Sequence, residues 1–135
     1  LSLLGDRPTI RAFRCREGGM STVMEYLKKC ADLGCSPRSI LTDTYYPGQY
    51  GGTGRVFDWR FVNETRAVLE GVAVILAGGL TPANVGDAIL TARPQAVDTA
   101  SGVESAVGVK DIDLVRAFVA GARSAFAKLG DDEQA

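Results

Sequence analysis

The sequence predicts an α/β protein built from four βα units, and three observations support this prediction. Short β-like runs alternate with amphipathic helical runs along the chain, and such alternation implies a parallel sheet that is covered by helices and joined by right-handed crossovers. The run VAVILA, at residues 72–77, is apolar at every position, as expected of a strand that is buried on both faces. The chain has 135 residues, of which 46% are hydrophobic, enough for one compact domain with a hydrophobic core.

The first two units occupy the N-terminal half of the sequence. A strand over residues 9–13 (TIRAF) leads to a helix over 21–33. Gly34 ends this helix, because glycine readily adopts the left-handed conformation of a helix C-terminus. A second strand, over 39–43 (SILTD), leads through a long loop to a helix over 59–69. Both units therefore have the strand–helix order of a parallel sheet.

The last two units repeat this order. A strand over 72–77 leads to a helix over 82–92, in which Thr81 fits the N-cap and the proline after it fits the first helical position. A strand over 96–100 (AVDTA) leads to a helix over 112–129. The last helix has one apolar stripe at three- and four-residue spacing, formed by Leu114, Val115, Phe118, Val119, Ala122 and Phe126.

Two architectures accommodate four βα units of this kind. One is a four-strand piece of a doubly wound sheet, and the other is half of a (β/α)₈ barrel, since a whole barrel typically needs about 250 residues. We expect residues 1–129 to form one domain in either case. The segment 130–135 (GDDEQA) is predicted to be a flexible tail.

Composition excludes several functional classes. The net charge is −1 and the isoelectric point is about 5.4, which disfavours a nucleic-acid-binding protein. No apolar run approaches the ~20 residues of a membrane span. The three cysteines, Cys15, Cys30 and Cys35, form no CxxC pair, and the chain has no histidine to complete a metal site or a nucleophile–base pair. We expect a reduced, cytoplasmic protein without a bound metal.

Polar residues and glycines are concentrated where the predicted strands end, which is where α/β proteins bind ligands. Gly78 and Gly79 follow the third strand and precede a helix, so backbone N–H groups there can bind an anion. Ser101 and Gly102 follow the fourth strand and can supply further donors. Turn glycines that any βα connection needs are the alternative explanation.

Asp43 is a candidate general acid. It ends an apolar strand and precedes a glycine-rich loop, whose closure would remove water from the carboxyl group. Removal of water raises the pKa of a carboxyl, as a general acid near neutral pH requires. A turn-forming aspartate that bonds nearby backbone N–H groups is an equally good explanation of this residue alone.

Four segments resemble, in their order and spacing, the phosphoribosylanthranilate isomerase family of tryptophan biosynthesis: ILTDT…YGGTGRVFDW, ILAGGLTPANV, AVDTASGVES and GVKD. The resemblance implies a (β/α)₈ barrel, of which this chain would supply strands five to eight. It also implies an Amadori rearrangement, in which an N-linked aldose phosphate becomes a 1-amino-1-deoxyketose phosphate. No cofactor is implied.

The resemblance also implies roles for single residues. Asp43 would be the general acid that protonates the furanose ring oxygen, and loop 45–54, with Gly52, would close over the substrate. Asp98 would contact polar atoms of the substrate. Asp58, by its position before the helix over 59–69, is predicted to be the N-cap of that helix rather than a site residue. The phosphate group would be bound by Gly78, Gly79, Ser101 and Gly102.

One departure from the family matters more than the matches for the activity of this chain. The general base of the family is the cysteine of a K-x-C-G motif, which does not occur in these 135 residues. We interpret Cys15 as a small buried hydrophobe or a loop thiol rather than as its substitute. The chain alone is therefore expected to be inactive, and its unpaired strand edges are expected to bind a separate first half or a second copy. Alternative functions are a related phosphosugar enzyme, such as indole-glycerol-phosphate synthase, and a non-catalytic phosphate-binding or assembly half-barrel.

Overall fold

The described residues form one parallel sheet, with helices packed on one of its faces. The computed structural model describes residues 2–5, 7–15, 19–43, 59–65, 69 and 71–132. Its parallel strands, in the spatial order 1-2-3-4, are β1 (Ile10–Arg14), β2 (Ser39–Asp43), β3 (Ala73–Ala77) and β4 (Ala96–Val97). The helices are α1 (Gly19–Asp32), α2 (Arg60–Thr65), α3 (Val85–Ala92) and α4 (Ile112–Asp132). A separate antiparallel pair is formed by β5 (Glu104–Ala106) and β6 (Val109–Lys110).

The predicted α/β class and the parallel sheet are confirmed. The four strands of the parallel sheet lie side by side in their sequence order. A doubly wound sheet reverses its strand order at a switch point, and no such reversal occurs among the described strands. When consecutive parallel strands are joined by right-handed crossovers, sequential order places the connecting helices on one face of the sheet.

Alternating side chains give the sheet two unlike faces. The face that we call the covered face packs against the helices, and its central side chains are at most 2% exposed: Ile40, Thr42, Val74 and Leu76. The opposite face, here called the open face, carries half-buried residues on β2 and β3: Ser39, Leu41, Asp43, Ala73 and Ile75. The prediction that strand 72–77 is buried on both faces is therefore wrong within this chain.

All four helices contribute to one hydrophobic core on the covered face. Val23 of α1, Val62 of α2 and Ile89 of α3 are almost fully buried in it. The predicted apolar stripe of α4 is only partly inside, because Phe118 and Ala122 are buried whereas Val119 is 42% exposed. Helix α4 runs to Asp132, three residues further than predicted.

Helix α1 ends at the predicted place. Gly34 has a φ of +64°, and its N–H donates a hydrogen bond to the carbonyl of Ala31 at 2.9 Å. The N–H of Cys35 donates to the carbonyl of Cys30, also at 2.9 Å. These two bonds define a Schellman motif, which satisfies carbonyl groups that the helix end would otherwise leave unpaired.

Helix α3 begins at Val85, and the prediction of a start at residue 82 with Thr81 as N-cap is wrong. Asn84 instead occupies the N-cap position. Its Oδ1 accepts a hydrogen bond from the N–H of Thr81 at 2.8 Å, and its Nδ2 donates to the carbonyl of Gly79 at 3.0 Å. The asparagine side chain thereby stabilises a turn that delays the helix by three residues.

Strand β4 is shorter than the predicted strand over 96–100. Its ladder with β3 ends at Val97, although the N–H of Asp98 still donates to the carbonyl of Leu76 at 2.9 Å. The hydroxyl of Thr99 then donates to the carbonyl of Leu80 at 2.7 Å. This bond directs the chain away from the ladder, into a 3₁₀ turn over Ser101–Val103 and the hairpin of β5 and β6.

Candidate active site

The candidate site lies at the carboxyl ends of the parallel strands. The register aligns Arg14 of β1 with Asp43 of β2, and Asp43 with Ala77 of β3. Asp98 follows directly after β4, where its N–H bonds to the carbonyl of Leu76. One cationic residue, Arg14, and two acidic residues, Asp43 and Asp98, therefore lie along one edge of the sheet.

Asp43 is directed to the open face. Its neighbour Thr42 is fully buried on the covered face, where its hydroxyl donates to the carbonyl of Ile75 at 3.4 Å, and side chains alternate along a strand. The backbone of Asp43 is held in place because its carbonyl accepts a hydrogen bond from the N–H of Cys15 at 2.9 Å. Asp43 is thus a half-buried residue on the open face, at the carboxyl end of its strand.

Gly78 and Gly79 directly follow β3, as the site prediction requires. Both have positive φ angles, +92° and +65°, a conformation that other residues adopt only with strain. A Cβ atom on Gly79 would meet nothing within 4 Å, so the backbone angle rather than lack of space requires glycine there. Leu80, next along the chain, is 1% exposed and attaches the loop to the core.

Gly102 brings the second loop against the first. A Cβ atom on Gly102 would lie 1.8 Å from the carbonyl oxygen of Leu80 and 2.8 Å from the hydroxyl of Thr99, so only glycine fits. The backbones of the two loops are therefore in direct contact, and exposed Ser101 stands beside this contact. The four residues predicted to bind phosphate thus belong to two adjoining loops at one edge of the sheet.

Two charged residues at this edge were not assigned by the sequence analysis. No sequence motif marks Arg14, and the strand register shows that it is next to Asp43. Lys110 of β6 donates a hydrogen bond to the carbonyl of Ala100 at 2.8 Å and forms an ion pair with Glu104. Lys110 occurs in the GVKD segment, which could have marked it as a residue near the phosphate loops.

Cys15 is unsuited to act as a base in this structure. Its side chain is fully buried, next to the end of β1. Burial, followed by the negative charge of Asp43, raises the pKa of Cys15 from 9.0 to about 11. Since the thiolate is the reactive form, a thiol with this pKa is almost entirely protonated at neutral pH. The finding agrees with the interpretation of Cys15 as a small buried hydrophobe.

Several predicted features lie outside the described residues, namely Gly52, loop 45–54 and Asp58. Among the residues that the structure does describe, no cluster of three or more histidine, cysteine or acidic side chains could hold a metal ion. Within the same part of the chain, no helix is both long and apolar enough to cross a membrane.

A cavity of about 620 Å³ lies at the opposite, amino-terminal edge of the strands. It contains no residue of the predicted site, and parallel α/β sheets bind their ligands at the carboxyl edge. We therefore assign it no part in the candidate site. Its lining includes Arg7, Thr9, Ser36, Arg38 and Gly71.

Comparison with known proteins identifies a family for this chain. The family described as N-(5'phosphoribosyl)anthranilate (PRA) isomerase matches residues 9–121. An N-(5'-phosphoribosyl)anthranilate isomerase of Trichlorobacter lovleyi is 43% identical over 120 residues, which cover 89% of this chain and 54% of the relative. The chain thus spans about half the length of the relatives that it matches. These matches do not favour indole-glycerol-phosphate synthase or a non-catalytic module.

Solved structures give the same result. The phosphoribosyl anthranilate isomerase of Thermotoga maritima superimposes with a TM-score of 0.70 at 35% identity, covering 91% of this chain and 55% of that protein. A second structure of such an isomerase superimposes with a TM-score of 0.68 at 30% identity, covering 91% of this chain and 52% of that chain. That isomerase was crystallised in complex with reduced 1-(o-carboxyphenylamino)-1-deoxyribulose 5-phosphate.

Proposed function

The chain belongs to the N-(5'-phosphoribosyl)anthranilate isomerase family, and from this we propose that it supplies the general acid and the phosphate-binding loops of such an isomerase. The reaction would convert N-(5'-phosphoribosyl)anthranilate into 1-(2-carboxyphenylamino)-1-deoxyribulose 5-phosphate in tryptophan biosynthesis. The register that aligns Asp43 with Ala77 carries this proposal, because it puts the acid one strand away from Gly78 and Gly79.

The chemistry of an Amadori rearrangement defines what each group must do. Asp43 donates a proton to the furanose ring oxygen, the bond from this oxygen to C1 breaks, and an iminium ion remains at C1. A base then removes the proton from C2, and the resulting enolamine tautomerises to the ketose. Asp43 serves the first step, whereas the base of the second step would come from the half of the protein that carries the K-x-C-G motif.

The adjoining glycine loops would bind the phosphate group. Backbone N–H groups at Gly78, Gly79, Ser101 and Gly102 would donate hydrogen bonds to the phosphate, and the three glycines have no side chain to block its approach. The contact between Gly102 and Leu80 supports this role, because it brings the backbones of the two loops together at one edge of the sheet. Asp98, which is exposed at the same edge, would contact polar atoms of the sugar, and Gly52 in loop 45–54 would cover the substrate.

We further propose that the four βα units are half of a (β/α)₈ barrel, in which they correspond to strands five to eight. The sequential strand order supports this architecture, as does the superposition on about half of the related isomerase. The open face and the free edges of β1 and β4 would then be covered by a complementary first half or by a second copy of this chain. The reduced cysteines support a cytoplasmic location.

Complementation tests the catalytic proposal. The isolated chain is expected to show no turnover, and addition of a first-half fragment with the K-x-C-G motif is expected to restore isomerase activity. In the restored enzyme, Asp43→Asn should lower kcat about 10²- to 10⁴-fold, because the acid is lost. Asp113→Asn is a matched control, since Asp113 lies on α4 with 85% of its side chain exposed.

Two results would contradict the proposal. Turnover by the isolated chain that disappears in Asp43→Asn would show that the base lies within these residues. Equal activity of Asp43→Asn and Asp113→Asn in the restored enzyme would show that Asp43 is not the acid.

A further inference from the structure

Two cysteines occupy the paired positions of the Schellman motif at the end of α1. Cys30 is the third residue from the helix end, and Cys35 directly follows Gly34, the residue in the left-handed conformation. Side chains at these two positions of a Schellman motif commonly contact each other. The fold therefore brings together two thiols that are separated by four residues in the sequence.

The backbone hydrogen bond limits the distance between the two cysteines. The N–H of Cys35 donates to the carbonyl of Cys30 with an N···O distance of 2.9 Å. With standard bond lengths, this bond allows a Cα–Cα separation of at most about 6.8 Å. Disulfides span Cα–Cα distances of about 4.4–6.8 Å, so the two residues are close enough for a covalent bond without unwinding the helix end.

Tyr26 is a titratable side chain on the same helix as Cys30, and it interacts with both thiols. Tyr26 lies one helical turn before Cys30, and both Cys30 and Cys35 contribute to raising the pKa of its phenol. The pKa of Tyr26 is raised by burial first and by its interaction with Cys30 second. The Tyr26 ring also packs edge-to-face on Phe13 of β1, with 5.2 Å between ring centroids.

Accessibility differs between the two thiols. Cys30 is only 6% exposed, whereas Cys35 is half-buried and in contact with solvent. A small oxidised reagent can therefore reach Cys35 first. Cys15 is fully buried and is separated from the pair in sequence, so it is a control within the same molecule.

We propose that Cys30 and Cys35 form a reversible disulfide, a modification site that responds to low-molecular-weight disulfides. In the first step the thiol of Cys35 attacks a disulfide RS–SR, forms a mixed disulfide with one RS group and releases the other as RSH. In the second step Cys30 attacks the sulfur of Cys35 and releases the second RSH. The two cysteines are oxidised by two electrons, the small disulfide is reduced by two, and both protons leave on the two RSH molecules.

Oxidised glutathione at defined ratios to reduced glutathione tests the proposal. The folded chain is equilibrated, free thiols are alkylated, and the protein is cleaved with trypsin after lysine and arginine. Residues 30–38 form one tryptic peptide that contains both Cys30 and Cys35 but not Cys15. The expected product is this peptide with two hydrogen atoms lost and no alkylation. Two results would overturn the proposal. One is a peptide that carries glutathione adducts but never an internal disulfide, and the other is a peptide with both thiols alkylated at every glutathione ratio.

Control experiments show whether the disulfide forms because of the fold or only because the two cysteines are close in the sequence. Cys15→Ser should leave the disulfide unchanged, and Cys35→Ser should abolish it. The equilibrium constant for forming the Cys30–Cys35 disulfide by exchange with oxidised glutathione should be at least about tenfold larger in the folded chain than in the chain unfolded by urea. The reason is that the Schellman motif holds the two cysteines together. Equal constants in both states would overturn the idea that the fold builds this site.

Gly34→Ala strains the left-handed position while both thiols stay in place. This variant should reduce the equilibrium constant of the folded chain several-fold. An unchanged equilibrium constant of disulfide formation in folded Gly34→Ala would contradict the proposal. If this variant does not fold, the comparison of the folded wild type with the wild type in urea is the deciding test.

Discussion

The two faces of the parallel sheet differ in what buries them. On the covered face, Ile40 and Leu76 are fully buried by helices of the same chain. On the open face, Leu41 and Ile75 are only half-buried, and Ile10 at the edge strand is 62% exposed. The covered face accordingly supplies the stability of this chain, whereas the open face bears the candidate acid and would be covered by another surface in the proposed (β/α)₈ barrel.

The largest effect is expected from a truncation on the covered face. Leu76→Ala should lower the free energy of unfolding by about 2–5 kcal/mol, because it removes buried methyl groups and leaves a cavity. Urea unfolding followed by the fluorescence of Trp59, the one tryptophan of the chain, measures this change. Ile75→Ala, one residue away on the open face, is the matched control and should cost clearly less. Equal losses would mean that the two faces do not differ energetically.

A pH-dependent loss of stability is expected from Cys15, which extends the covered face beyond β1. Its folded pKa of about 11 lies above its unfolded value of 9.0, so its contribution is complete below pH 9 and disappears as the pH rises towards 11. Between pH 8 and pH 10.5 the wild type should lose about 2 kcal/mol more unfolding free energy than Cys15→Ala. The unfolding free energies of both proteins are measured by urea unfolding at each pH. If they decrease by the same amount between pH 8 and pH 10.5, this prediction is wrong.

The smallest effect in the isolated chain is expected on the open face. Ile10→Ser should change the unfolding free energy by no more than about 0.5 kcal/mol, because the side chain is already mostly exposed. The same substitution should weaken assembly with a first-half fragment, measured as the concentration of fragment that gives half-maximal isomerase activity. A large loss in the isolated chain, with assembly unchanged, would argue against an open face that awaits a partner.

Elements that depend on a few neighbouring residues are the ones that the sequence predicts correctly. The end of α1 was predicted correctly because the left-handed conformation of Gly34 depends on that residue alone. The start of α3 was predicted wrongly because Thr81 and Pro82 suit a helix start, yet the side chain of Asn84 forms a competing turn. The predicted strand over 96–100 was too long because the hydrogen bond of Thr99 to the neighbouring loop was not visible in the sequence.

The candidate site was predictable only as a set of positions. Asp43, Gly78 and Asp98 could be named because each follows an apolar run, and strand ends carry ligands in any parallel sheet. Their functional roles stay predictions, and Gly52 lies outside the described residues. Arg14 could not be chosen over the other arginines, since only pairing with a strand about thirty residues later makes it a neighbour of Asp43.

The sequence by itself determined the order of strands and helices, the end of α1 and the glycines at the strand ends, because these depend on side-chain periodicity and backbone conformation within a few residues. The tertiary structure decided which distant residues meet: Arg14 with Asp43 across two strands, and Gly102 with Leu80 between two loops. It also decided which face of the sheet is buried. The physical reason is that strand register and helix packing are set by contacts between segments far apart in the chain, and no local pattern specifies them.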